Sequence, residues 1–169
     1  PSQISLILYP YISALKDNQT AINLTSVIVK ISTLISLLLY IPIIIWGSEI
    51  ITFIYGEQYK GLNLSLNILF AAMIFDGIVS LLFNHFGGKG KPIYGIYMSI
   101  ISITVIVMTG FLLVPQFGVS GTAMVRLIAA FWASIFFIYL FVRQNGIINT
   151  FLIRSRDIRI FKQIINQKI

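Results

Sequence analysis

Cysteine is absent from the 169 residues, so the chain itself can supply no disulfide, zinc thiolate or thiol nucleophile. Histidine occurs once, at His85, which leaves no second imidazole for a metal site. Charge is scarce. Asp, Glu, Lys and Arg make up 10% of the chain, against roughly 25% in soluble domains. From Pro92 to Val125 there is no charged residue at all. Hydrophobic residues make up 57%, too many for the remaining polar groups to cover a surface facing water. The bilayer is the consistent solvent. Acidic groups are fewer than basic ones, five against twelve, for a net charge of +7. In a chain this apolar, that excess points to Lys and Arg gathered on the cytoplasmic side, not to a nucleic-acid partner.

A spanning helix needs about 20 mostly apolar residues. Four stretches qualify, over about 26–55, 62–86, 92–114 and 119–142. Pro42 is expected to kink the first of them, which neighbouring helices make tolerable in a membrane. Residues 1–15 are apolar but too short to cross. The chain opens on Pro1, and this stretch reads as the trailing half of a helix that begins upstream. It lacks a signal-peptide layout because Lys16 and Asp17 interrupt it. Barrel strands are excluded, since runs such as Ser36-Leu37-Leu38-Leu39-Tyr40-Ile41 do not alternate apolar and polar residues. The expected fold is all-α, a polytopic transmembrane bundle of about four full spans plus the end of a preceding one.

Alternating the helices places Lys16, Lys89, Lys91 and Arg143 on one side, and Glu57 and Lys60 on the other. The first side is expected to be cytoplasmic, with the C-terminus inside. Residues 1–145 then form the membrane domain and 146–169 a basic tail. In that tail Ile158, Phe161 and Ile165 recur at helical spacing among Arg154, Arg156, Arg159, Lys162 and Lys168. Such a segment is expected to lie on an anionic inner leaflet.

Enzyme chemistry finds no foothold. Gly87-Gly88-Lys89-Gly90-Lys91 lacks the spacing of a phosphate loop and follows no strand, so a tight basic turn explains it better. His85 falls at a helix end near the headgroups, where a lone imidazole reads as an anchor or a bystander. No catalytic residue, cofactor or metal ligand is expected.

Charges inside lipid remain. An ionisable side chain at the bilayer centre costs several kcal/mol, so it is retained for pairing or for a polar cavity. Asp76 lies roughly 12–15 Å from the cytoplasmic end of its helix, and Lys30 roughly 6–10 Å from the same side. A Lys30–Asp76 pair is the simplest arrangement. Arg126 enters roughly 12 Å from the outer side and could reach Asp76, face a wet cavity or extend to an interface. Lys30, Asp76 and Arg126 are therefore the candidate substrate or ion cavity residues. Asn63 and Asn67 share a helix face, with Asn84 later on the same helix and Ser99, Ser102 and Thr109 on the next. Packing between helices is the expectation for each.

Three segments stand out: Phe53-Ile54-Tyr55-Gly56-Glu57-Gln58-Tyr59, the small basic loop Gly88-Lys89-Gly90-Lys91, and Leu113-Val114-Pro115-Gln116-Phe117-Gly118-Val119-Ser120-Gly121-Thr122-Ala123. Together they resemble the C-terminal half of bacterial polysaccharide (O-antigen type) flippases of the multidrug/oligosaccharidyl-lipid/polysaccharide exporter superfamily. Thr122 stands where the family usually has Ala. Tyr9-Pro10 and Ser13 also fit, so the likeness runs from about Tyr9 to Leu140. The resemblance implies the C-terminal lobe of a two-lobed transporter in the bacterial cytoplasmic membrane, with the N-terminal lobe of the same transporter as its missing partner. It implies a lipid-linked oligosaccharide as substrate, moved from the inner to the outer leaflet during polysaccharide biosynthesis, such as lipopolysaccharide or capsule export. Coupling to a proton or sodium gradient would need a titratable group, and Asp76 is the one carboxylate deep in a span. Membrane lipids are the other expected partners.

Two alternatives stand beside this one: a multidrug or small-molecule exporter of the same superfamily, and a membrane assembly subunit without transport. The second would have its intramembrane charges fully paired and no cavity. A membrane glycosyltransferase or polymerase would need a sizeable extramembrane loop, and the loops here are short.

Overall fold

The structure is a computed structural model and describes residues 9, 10, 12–15 and 17–145. Three long helices dominate: α1 (Asn18–Tyr55), α2 (Asn63–Gly88) and α3 (Ile93–Asn145). A 3-10 segment, Glu57–Leu62, joins the first two. Residues 9, 10 and 12–14 are helical and precede them. All three long helices are apolar and long enough to cross a membrane. The basic tail expected at 146–169 lies outside the described residues.

α1 begins earlier than its apolar content suggests, because Asp17 caps it. The Asp17 carboxylate accepts from the Gln19 amide at 3.2 Å and the Thr20 amide at 2.8 Å, and the Thr20 hydroxyl also donates to it. These satisfy donors that a helix start leaves unpaired. The Thr20 hydroxyl, then the Thr20 and Gln19 amides, hold the Asp17 carboxyl below its ordinary value. The depressed pKa means that this contribution exists above the usual carboxylate range and fades as pH falls through the lowered value. Pro42 lies within α1, and the helical dihedrals fail at Trp46 (φ −115°, ψ 17°), four residues past the proline. Gly56, at φ 97°, ends the helix, a conformation that favours glycine.

α3 is 53 residues long and would extend about 80 Å if straight. It is not straight. Gly118 sits at φ 53° and ψ −124°, and there the chain reverses. Past the break, Gly121 lies against the backbone of Leu113 and Val114; a Cβ on it would stand 2.3 Å from the Leu113 carbonyl oxygen. Tyr94 and Met98, near the start of α3, pack on the cluster containing Phe137 and Phe141 near its end. The two arms, 93–117 and 119–145, are thus antiparallel. The turn expected over 115–118 narrows to one residue, with helix continuing through Pro115.

Packing is concentrated at the end that carries Lys89 and Lys91. Ile22, Val79, Leu82, Phe86, Ala133, Phe137 and Phe141 form the main core. Phe86 stacks on Phe137 with centroids 5.7 Å apart and meets Tyr94 edge-on at 5.1 Å. Ala129, Ala130, Ala133 and Ser134 are buried on the second arm, and these small side chains let the helices approach closely. Gly87 and Gly88 do the same for the N-terminal segment, since a Cβ on either would stand 2.9 Å from Tyr9 or Ile12. Lys89 Nζ adds a bond of 3.3 Å to the Leu15 carbonyl. The basic loop is therefore a tight turn, as expected, and also the surface on which the preceding segment rests.

Away from this end the helices are bare. The most apolar windows of α1, α2 and α3 are only 6%, 28% and 0% buried, which leaves their outer faces to hydrocarbon or to another protein. Gly121→Val should abolish the fold of the α3 hairpin, because the added atoms meet backbone with nowhere to move. Yield of monodisperse protein in mild detergent is the measurement, with Gly110→Ala, which meets open space, as the tolerated control. Normal yield of Gly121→Val would contradict the reversal.

Candidate functional site

Asp76 lies in the middle of α2, on a face that also presents Met73, Ser80 and Phe83. At 100° per residue, three, four and seven positions bring a side chain back to nearly the same direction. The second arm of α3 runs alongside, and Arg126 Nη2 donates to Asp76 Oδ2 at 2.7 Å. Of the three charged candidates, Asp76 and Arg126 thus come together. The pair lines a cleft of about 530 Å³ between α2 and both arms of α3, with Ser80, Met98 and Ser99 nearby. The pair is not sealed off, since the side chains of Arg126 and Asp76 are 51% and 33% exposed.

Lys30 goes elsewhere. It lines a separate slot of about 250 Å³ between α1, α2 and the second arm of α3, where α2 contributes Ile78 and Leu82. Ile78 is two residues from Asp76, which turns it some 200° around the helix. Depth alone favoured Lys30 as the partner of Asp76; rotation about α2 gives the carboxylate to Arg126. Among the described residues the two cavities share no lining.

The polar residues of the spans mostly satisfy themselves or pack. Asn67 Nδ2 donates to the Asn63 backbone carbonyl and to Asn63 Oδ1, each at 3.0 Å. Tyr40 crosses from α1 to donate to the Asn67 carbonyl at 3.1 Å. Gly47 lies so near that a Cβ would stand 2.6 Å from Asn63 Oδ1. This pins the far half of α1 to α2. Asn84, Ser99 and Thr109 each donate to a carbonyl four residues back in their own helix, so they do not join helices by those bonds.

His85 corrects an expectation. It is not an interfacial anchor but is fully buried, with its ring edge-on to Phe86 and Phe141. Thr25 on α1 stands 2.7 Å from Nδ1 and 2.9 Å from the Ala21 carbonyl. The hydroxyl has one proton, and the carbonyl can only accept, so Nδ1–H donates to Thr25 and Thr25 donates to Ala21. Nε2 is buried and has no hydrogen-bond partner among the described residues. The bond ties α1 to α2 within the aromatic core, a role the sequence concealed because Thr25 and His85 are sixty positions apart. Among the described residues no three His, Cys, Asp or Glu side chains gather closely enough to hold a metal ion.

Comparison with known protein families, curated proteins and solved structures gave no match for the chain. What the cleft can do follows from its own chemistry. In water an exposed ion pair contributes about 0–1 kcal/mol. In a hydrocarbon setting, leaving either charge alone costs at least about 2–3 kcal/mol. Arg126→Gln should therefore destabilise the protein by about 2 kcal/mol, and adding Asp76→Asn should recover most of the loss, because the neutral amide needs no counter-ion. Reversible unfolding in mixed detergent micelles measures both. Additive losses would mean that the two charges do not depend on each other.

Proposed function

We propose that the chain is part of a flippase carrying a lipid-linked oligosaccharide from the inner to the outer leaflet of the bacterial cytoplasmic membrane. α1 and α2 each cross once. α3 crosses twice, since its 53 residues far exceed a hydrocarbon core of about 30 Å and it doubles back at Gly118. The C-terminus lies with Lys89 and Lys91 on the cytoplasmic side. The missing N-terminal lobe of the transporter faces the cleft, which closes the pathway.

One observation carries the proposal: a half-exposed Arg126–Asp76 pair beside a cleft of about 530 Å³ in otherwise apolar helices. A sugar chain cannot cross the hydrocarbon core unaided, and a wet groove with charge inside it supplies the necessary path. Arg126 offers a cation to a phosphate-linked head, and Asp76 offers a carboxylate that can exchange its partner for a proton or sodium ion. The resemblance described above adds that the chain reverses within its Pro-x-aromatic-Gly turn.

The pairing of Asp76 with Arg126 also suits a membrane assembly subunit, which would have its charges neutralised; the cleft beside them suits transport. An exporter of small molecules from the same superfamily would use the same groove. A gene deletion should strand lipid-linked sugar units on the inner leaflet. Complementation by Asp76→Asn should restore protein to the membrane but not outward delivery, scored by surface polysaccharide. Full delivery by Asp76→Asn would remove the carboxylate from the mechanism, and normal surface polysaccharide in the deletion strain would refute the flippase.

A further inference from the structure

Phe83 follows Asp76 on α2, two turns nearer the basic end and on the same face. It lines the cleft and is 42% exposed. Its ring is held in place from two sides. It meets Phe137 edge-on at 6.5 Å, and its Cδ2–Cε2–Cζ edge rests on Gly95 of the first α3 arm, where a Cβ would stand 2.4 Å from Cε2. The ring surface left over lines the cleft. Ser99, one turn from Gly95, lines it too and donates to the Gly95 carbonyl at 3.0 Å. Its one proton is committed there, so its oxygen is left to accept. Roughly 10 Å deeper by helix rise, a single hydrogen bond among the described residues joins Arg126 Nη2 to Asp76 Oδ2. The other guanidinium nitrogens are left to meet an anion.

A fixed ring, an acceptor beside it and a cation farther along match a sugar joined to a phosphate. A pyranose has one face of C–H groups, which the negative face of a phenyl ring attracts, and a rim of hydroxyls, which an acceptor beside the ring can bind. An acyl chain would gain from the ring but nothing from Ser99 or Arg126. Free phosphate would gain from Arg126 but nothing from the ring. We infer that Phe83 is the stacking platform for the sugar next to the phosphate-linked head, with Ser99 accepting from a hydroxyl of that sugar and Arg126 meeting the phosphate. The sugar then points toward the basic mouth of the cleft, and the lipid leaves from the deeper end toward the hydrocarbon. This assignment rests on the flippase reading and adds to it a residue that recognises the sugar.

The test expresses the gene in its deletion strain while the supply of sugar precursor is varied. Lipid-linked sugar is extracted and quantified, and surface polysaccharide is scored per unit of protein in the membrane. Phe83→Met keeps apolar bulk but offers no ring face. It should need about fivefold more lipid-linked sugar for half-maximal delivery, the size of one ring contact, at an unchanged maximal rate. Phe83→Leu is a second ringless variant with the same expectation, which keeps the measurement if either one fails to insert. Phe83→Tyr should match the unaltered chain. An unshifted half-maximal level in the ringless variants, a lower maximal rate without that shift, or a Phe83→Tyr that behaves like Phe83→Met would each overturn the platform and leave the flippase standing. Normal surface polysaccharide in the deletion strain would overturn the flippase and the platform with it.

Discussion

An ion surrounded by acyl chains must find either its counter-ion or water, and that constraint fixes the rotation of α2. Asp76 cannot be turned toward lipid, and it is held by Arg126 from the second arm of α3. Once that face is fixed, Ile78 and Leu82 must face α1, because they lie on the opposite side of the same helix. The pair thus sorts the α2 surface into a charged cleft and an apolar slot. Its partial exposure marks the cleft side as one that meets water or protein, since a half-open ion pair against hydrocarbon would retain much of its desolvation cost.

The reversal at Gly118 makes the pair possible. A straight α3 would carry Arg126 far beyond Asp76. Folding the helix back brings the second arm alongside α2, with Ser120 near Ser65 (3.0 Å), then Arg126 at Asp76, and finally Phe137 on Phe86. These contacts descend in order toward the basic end, where the aromatic core and the His85–Thr25 bond hold all three helices together. Packing is therefore concentrated at one end. The middle, where both cavities lie, is held chiefly by the ion pair and by the Tyr40–Asn67–Asn63 linkage across to α1.

The spans were legible because twenty apolar residues have few alternatives. Their ends were less so. Apolarity puts the start of the first span at about residue 26, yet the helix begins at Asn18, because a capping carboxylate extends it through Asn18, Gln19 and Thr20, which no hydropathy pattern would include. The Pro-Gln-Phe-Gly segment was recognisable as a turn, but its compression to a single positive-φ glycine depends on Gly121 accepting the Leu113 carbonyl against its bare Cα. The charged residues were all identifiable, and depth along each helix was readable from the 1.5 Å rise. Rotation was not, because almost every face of these helices is apolar and no stripe tells inside from outside. That is why Lys30 looked like a partner for Asp76. His85 was misplaced for a related reason: its cover comes from Thr25 and Phe141, both distant in sequence. Packing indicates neither a lobed transporter nor a sugar substrate; both are proposed from the resemblance and the cleft.

The central claim is that the Asp76–Arg126 face meets water while neighbouring faces of the same arm meet lipid. The chain has no cysteine, so a single introduced thiol reports alone. Ser99→Cys, in the cleft, and Ile100→Cys, turned about 100° round the helix from it and 57% exposed, can be treated with a charged, membrane-impermeant methanethiosulfonate in native membranes. The account predicts rapid modification at 99 and none at 100. Silence at 99, or equal reaction at both, would contradict it.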